Sequence, residues 1–208
     1  EYVGRINQLA SALRAAGLKK DDRVAFLCAN TPPMLEAHFG VPLAGGVLVC
    51  INTRLAPNEI KYILNHSGAR FLFVDTEFTG LIKPILAELQ SVEQVVNCAD
   101  LPDCERLDGP EYEEFIATGS PDAVPWALED EMDSISINYT SGTTGMPKGV
   151  LFSHRGAYLN SLGVGLESGA AIVGSFGPAR RRAHAALGEP VSVASRIQAM
   201  TADLSIPI

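Results

Sequence analysis

The sequence is short of the residues that crosslink a chain, span a membrane or grip nucleic acid. It has four cysteines, Cys28, Cys50, Cys98 and Cys104, with no CxxC pair and no zinc-like spacing to its four histidines. That argues against a disulfide framework and against a metal centre, and it favours a reducing, cytoplasmic setting. No apolar run approaches the ~18 to 20 residues of a membrane span, so no transmembrane segment is expected, and no signal-peptide pattern opens the chain. Positive charge is scarce too. Sixteen basic residues face 24 acidic ones, for a net charge of −8, so no nucleic-acid partner is expected. The imbalance is steepest between residues 100 and 133, where twelve carboxylates face only Arg106. That stretch reads as a solvated connecting surface. An initiating methionine is also missing: "EYVGRINQLASALRAAG" starts inside a helical pattern, as a piece of something longer would. Nothing sets an oligomeric state.

What is present is a chain able to bury a core, 47% apolar and 19% charged over 208 residues. Val3, Ile6, Leu9, Ala10 and Leu13 recur at helical spacing, and Gly17 falls where a left-handed cap belongs. "RVAFLCAN" is a short apolar run, expected as a buried strand. Thr31 before Pro32 signals a capped helix through Leu35 and Phe39 to about Ala44, stopped by Gly45 and Gly46. "VLVCI", a helix from Pro57 to Asn65 with Ile60, Ile63 and Leu64 inward, and "RFLFVD" repeat the unit. "FTGLIKPILAELQ" predicts a further helix that Pro84 kinks or delays, and "EQVVN" a short strand. Alternation of strand and helix with brief connections predicts an α/β fold: a mostly parallel sheet flanked by helices.

After the acidic excursion, "SISINY" alternates as a strand and delivers "NYTSGTTGMPKGVLFSH", residues 138–154. This is neither a Walker A loop nor a Rossmann fingerprint, because the glycine and lysine spacings fail both. Pro147 pushes Met146 toward extended backbone, and "GVLFS" reads as a second strand, so the geometry is strand, loop, strand. Such a loop can still hold phosphate. Gly142 and Gly145 permit dihedrals that aim successive N–H groups into one concavity. Thr140, Ser141, Thr143 and Thr144 add hydroxyl donors, and Lys148 adds a fixed positive charge. On composition alone, a solvated Ser/Thr/Gly hairpin stays open as the alternative.

The order of residues goes further. "YTSGTTGMPKGV", Tyr139 to Val150, closely resembles the signature loop of the adenylate-forming superfamily. "LAGGVLVCINTRLAPNEIKYILNHSGARFLFVD" and "SHRGAYLN" resemble its acyl-CoA synthetase branch. The likeness covers residues 1 to about 163, a partial N-terminal domain. It implies an enzyme that joins a small-molecule carboxylic acid, fatty or other, to ATP. Pyrophosphate leaves, and the acyl group passes from acyl-AMP to the thiol of coenzyme A. Mg2+ would bridge phosphate oxygens. By the same resemblance Thr140, Ser141, Gly142, Thr143, Thr144, Gly145, Lys148 and Gly149 form the ATP-phosphate site, with Thr144 and Lys148 nearest the chemistry and no metal ligand of the chain's own.

The resemblance stops early. The family's Tyr-Gly-x-Thr-Glu and Thr-Gly-Asp segments and its C-terminal lysine domain are missing. Residues 164–208 turn rich in Ala, Gly, Ser and Arg, which marks a divergent tail, expected to be disordered or frame-shifted. Within it "RRRAHAALGE" suggests a short helix. A chain with the phosphate loop alone is expected to turn over poorly. Two other readings remain at this level: a nonenzymatic nucleotide-binding or interaction protein, and another adenylate-forming type such as a peptide-synthetase adenylation domain or a luciferase-like enzyme. Outside the loop, His154 reads as a helix cap, Asp75 as a satisfied carboxylate at a strand end, and Trp126 as a surface anchor.

Overall fold

The computed structural model describes residues 2–99, 104–126, 128–140, 146–163, 172–176 and 183–187. Helix α1 (Tyr2–Ala15) precedes strand β1 (Arg23–Leu27), α2 (Pro32–Ala44), β2 (Val47–Cys50), α3 (Pro57–Ser67), β3 (Ala69–Asp75), a single turn α4 (Thr79–Ile82) and β4 (Gln94–Cys98). Helix α5 (Tyr112–Ala117), β5 (Ser134–Thr140), β6 (Lys148–Ser153) and α6 (His154–Gly163) follow. Strands β1 to β6 form one sheet in the order β4-β3-β1-β2-β5-β6. Every pairing from β4 to β5 is parallel, and β6 closes the edge antiparallel to β5. The α/β class and the mostly parallel sheet are as expected.

The chain forms two compact units, residues 1–154 and 155–208. In the first, the central strands alternate between two cores. Val24, Phe26, Phe71 and Phe73 point to one face, where Leu9, Leu13, Met34, Val41 and Phe115 pack. Ala25, Leu27, Leu72 and Val74 point to the other, against Ile60, Ile63, Leu64 and Ile82. Phe26 and Phe73 stack with ring centroids 4.3 Å apart. Strands buried on both faces need apolar residues at every position, which is why these segments read as continuous runs. Burying each such side chain contributes about 1.5–3 kcal/mol.

Local expectations mostly hold. Gly17 (φ 86) and Gly45 (φ 93) adopt left-handed backbone, and Ile60, Ile63 and Leu64 of α3 are buried. Three expectations need correction. The Thr31 side chain makes no cap bond; its hydroxyl instead donates to Ala29 O at 3.4 Å. The long helix expected over residues 78–90 is one turn, then a 3-10 turn at Leu86–Glu88, because Pro84 lacks an N–H and its ring strikes the carbonyl four residues back. The acidic excursion is also more than connecting surface: α5 buries Tyr112, Phe115 and Ile116.

Its charges are placed as well as solvated. Glu36 of α2, only 1% exposed, accepts from Arg5 Nε at 2.5 Å and from the Tyr112 hydroxyl at 2.6 Å. Arg5 reaches on to Glu113 at 2.6 Å, so one guanidinium ties α1 to both α2 and α5. Lys20 pairs with Glu129 and Asp133 at 2.8 and 3.0 Å. Arg106 pairs with Glu111, and Arg70 with Asp22 and Glu93.

In the second unit β7 (Ile172–Phe176) pairs antiparallel with β8 (Ala183–Leu187). The short helix expected over the latter is therefore a strand, cross-strand pairing having overridden helix propensity. The remaining residues of 164–208, where a disordered tail was expected, lie outside the described residues.

Candidate functional site

The quoted hairpin has the geometry its residues suggest. Asn138 pairs with Val150, Tyr139 with Gly149 and Thr140 with Lys148, so the last two face each other at the mouth of the loop. Ser141, Gly142, Thr143, Thr144 and Gly145 lie outside the described residues. Of the eight proposed site residues, the structure thus brings together Thr140, Lys148 and Gly149. The Thr140 hydroxyl donates to Lys148 O at 3.5 Å, a bond long enough to yield to a better acceptor. Lys148 is exposed, and among the described residues it forms no ion pair.

Gly149 is explained by packing. A Cβ there would come within 2.9 Å of Ile137 Cγ2 and 3.4 Å of Tyr139 Cζ, so the tyrosine ring lies against the glycine across the ladder. The Tyr139 hydroxyl meets His66 Nδ1 at 2.7 Å. His66, in the last turn of α3, also stacks on Tyr62 at 5.2 Å between centroids. Burial, with Tyr62 nearby, pushes the Tyr139 hydroxyl above its ordinary range, so it keeps its proton. Sequence reasoning missed His66. Its partner is 73 positions away, and only the sheet order brings α3 beside β5.

A cavity of about 340 Å³ lies beside the loop, lined by Cys50, Asn52, Leu55, Glu59, Ile63, Tyr139, Thr140 and Pro147. Glu59 is occupied there, accepting from Ala56 N at 2.9 Å. At the carboxyl ends of β1 and β2 a second cleft of about 530 Å³ holds Cys28, Asn30, His38, Cys50 and Asn52. Burial pushes the Cys50 thiol up to about 11, so it behaves as an apolar filler and not as a thiolate. All four cysteines are free. Among the described residues no group of three acidic, His or Cys side chains could hold a metal ion, and no helix is long and apolar enough to cross a membrane.

Of the lesser candidates, Asp75 is the one the structure shows as read. His154 opens α6, and its N–H donates to Asp133 O at 3.0 Å. It stands just past the opposite end of β6 from Lys148, about 20 Å away along the strand at about 3.3 Å per residue, too far to serve the loop mouth. Burial lowers its pKa, against a smaller raising effect of Asp133. Asp75 caps the following turn, accepting from Glu77 N at 3.1 Å. Trp126 is 73% exposed.

Sheet order and terminal hairpin together define an α/β domain of the kind that adenylate-forming enzymes carry in their N-terminal part. The family of AMP-binding enzymes matches residues 1–177, and the chain belongs to it. A 4-hydroxybutyrate–CoA ligase of Metallosphaera sedula is 40% identical over 162 residues, covering 76% of this chain and 30% of the relative. A 3-methylmercaptopropionyl-CoA ligase of Ruegeria pomeroyi is 45% identical over 159 residues, covering 75% and 29%. Among solved structures, the anthranilate CoA ligase AuaEII in complex with anthranoyl-AMP superposes with a TM-score of 0.72 at 30% identity, over 80% of this chain and 32% of that one. ATP-bound MatB from Rhodopseudomonas palustris gives 0.65 at 28% identity, over 78% and 31%. The chain thus spans about 30% of the length of the curated relatives it matches.

Proposed function

We propose that residues 140–149 bind the β- and γ-phosphates of ATP within an acid–thiol ligase that makes acyl-CoA through acyl-AMP. The observation that carries this reading is the hairpin mouth. Thr140 and Lys148 sit opposite each other, the lysine unpaired among the described residues, with a Ser/Thr/Gly run between them. In the first step a carboxylate oxygen of the acid attacks the α-phosphorus and the bond to pyrophosphate breaks. In the second, the thiol of coenzyme A attacks the acyl carbon and AMP leaves. Within this chain, Thr140, Ser141, Thr143, Thr144 and the backbone at Gly142, Gly145 and Gly149 supply donors to the departing pyrophosphate, and Lys148 offsets its growing charge. Each well-placed donor of this kind is worth about 3–4 kcal/mol in the transition state. Among the described residues no group of acidic, His or Cys side chains could hold Mg2+; brought in with the nucleotide, the ion would add to the charge neutralisation that Lys148 supplies.

The substrate class is a carboxylic acid, a fatty acid being the narrower form; the relatives' names span hydroxybutyrate, cinnamate and benzoate. The partial N-terminal domain is taken as residues 1–163 and the divergent segment as 164–208. Unpaired thiols support a reducing, cytoplasmic setting. Since the ribose and adenylation motifs lie outside this sequence, the 208 residues should bind nucleotide yet release little pyrophosphate. Calorimetric titration with Mg-ATP tests the binding. Lys148→Ala should weaken affinity about 10- to 100-fold, as loss of a charged hydrogen bond does. Equal affinity in the variant would overturn the assignment of the loop.

A further inference from the structure

A loop that is fastened only by a two-stranded ladder at the edge of a sheet needs something to fix its arms. Isolated hairpins are marginal in water, and β6 has no second strand on its outer side among the described residues. On the inner side, β5 is held to β2 through only three register pairs, Leu48 with Ser136, Val49 with Ile137 and Cys50 with Asn138. That pairing stops one residue short of Tyr139, which is the point where the loop's entry arm begins.

From there a side chain takes over. Tyr139 is fastened to α3 by the 2.7 Å bond between its hydroxyl and His66 Nδ1, with the two rings edge-on at 81° and 5.8 Å between centroids. His66 is itself held by its stack on Tyr62, one helical turn earlier. The Tyr139 ring also lies against Gly149, its Cζ 3.4 Å from where a Cβ would stand, in ordinary van der Waals contact, while Ile137 Cγ2 at 2.9 Å leaves that Cβ no room. Tyr139 precedes Thr140 on the entry strand, and Gly149 follows Lys148 on the exit strand. One phenol ring, pinned at its hydroxyl, thus spans both feet of the loop.

We infer that His66 is a positioning residue for the phosphate loop, acting through Tyr139 to hold Thr140 and Lys148 in register. This rests on the reading of residues 140–149 as a nucleotide-phosphate site, but the pinning itself is a property of the nucleotide-free chain. Positioning is worth having because a polyphosphate site acts by preorganisation: donors already aimed lose no binding energy to being ordered. His66 touches no phosphate in this account. It lowers the freedom of the two residues that do.

Two readouts on the full 208-residue chain separate this inference from the functional reading beneath it. The first is amide hydrogen exchange without nucleotide. His66→Ala should speed exchange at Gly149 and Val150 about three- to tenfold, the effect of one neutral hydrogen bond, while β1 and β3 exchange as before. Tyr139→Phe should do the same, and the double variant no more than either alone. The second readout is Mg-ATP affinity, which should fall by the same factor in His66→Ala and recover within about twofold in His66→Gln, whose amide can remake the bond. Unchanged exchange at Gly149 and Val150 would overturn the inference. So would acceleration spread equally through β1 and β3, which would mean a general loss of stability. If the wild-type chain failed to bind Mg-ATP while the exchange pattern appeared as described, the clamp would stand and the nucleotide assignment would fall.

Discussion

Strand β3 buries every residue from Phe71 to Val74 to 2% exposure or less, whereas β6, at the edge of the same sheet, leaves Leu151 64% and Phe152 42% exposed. The two regions are held by different means. The central strands are fixed by apolar side chains on both faces, where identity at each position is dictated by volume. The β5–β6 hairpin is fixed by its ladder, by three pairs to β2 and by the ring of Tyr139. The first arrangement makes a domain. The second carries a polar loop whose Thr140 and Lys148 are exposed at its mouth, joined to each other across the ladder and, among the described residues, to no charged partner.

The comparison can be broken most forcefully with one pair of truncations. Phe73→Ala should cost about 3–5 kcal/mol, enough to unfold much of the population in a chain of ordinary stability. Phe152→Ala, the same chemical change on β6, should lower the unfolding free energy measured in urea by no more than about 0.5 kcal/mol. Equal effects would mean that the hairpin is as integral to the core as β3 is. Lys148→Ala sharpens the contrast from the other side. It should leave the unfolding free energy within about 0.5 kcal/mol of wild type while weakening Mg-ATP as described above; a large stability loss would mark the lysine as structural.

The smallest expected effect is a staged response to acid. Burial depresses the His154 pKa in the folded chain, so near the ordinary imidazole value of about 6.5 the unfolded state binds more protons. The stability His154 contributes is present above that value and is lost as pH falls through it. Glu113 and Asp133 are held below the usual carboxylate range by their bonds to Arg5 and Lys20, and Glu93 by its bond to Arg70. Their contribution is present above about 4 and falls away only below it. Exchange at the foot of β6 should therefore begin to quicken as pH falls below about 6.5, when corrected for intrinsic rate, while α5 and β3 hold until about pH 4. A single transition shared by both regions would contradict this.

The same contrast explains what could be read from the sequence. The double-faced strands announced themselves, since "RVAFL" and "RFLFVD" admit few other readings, and the loop was legible because its residue order is so specific. Helix α5 was not. Its three buried residues, Tyr112, Phe115 and Ile116, sit in a stretch whose carboxylates look like solvated surface until Arg5 and Lys20 are seen to meet them. Pro84 signals a break in the helix, but its position alone does not show that α4 ends after one turn. His66 carried no local signal, because its role exists only once α3 packs beside β5. For Ser141, Gly142, Thr143, Thr144 and Gly145, the assignment stands on sequence order and on the placement of the flanking strands.

Amide NMR of the folded 208-residue chain tests most directly whether the loop is a receptor for polyphosphate. With Mg-ATP in large excess, resonances of residues 140–150 should shift, those of β1 and β3 should stay, and Lys148→Ala should abolish most of the change. Loop amides that do not move in a spectrum otherwise characteristic of the folded chain would contradict that assignment.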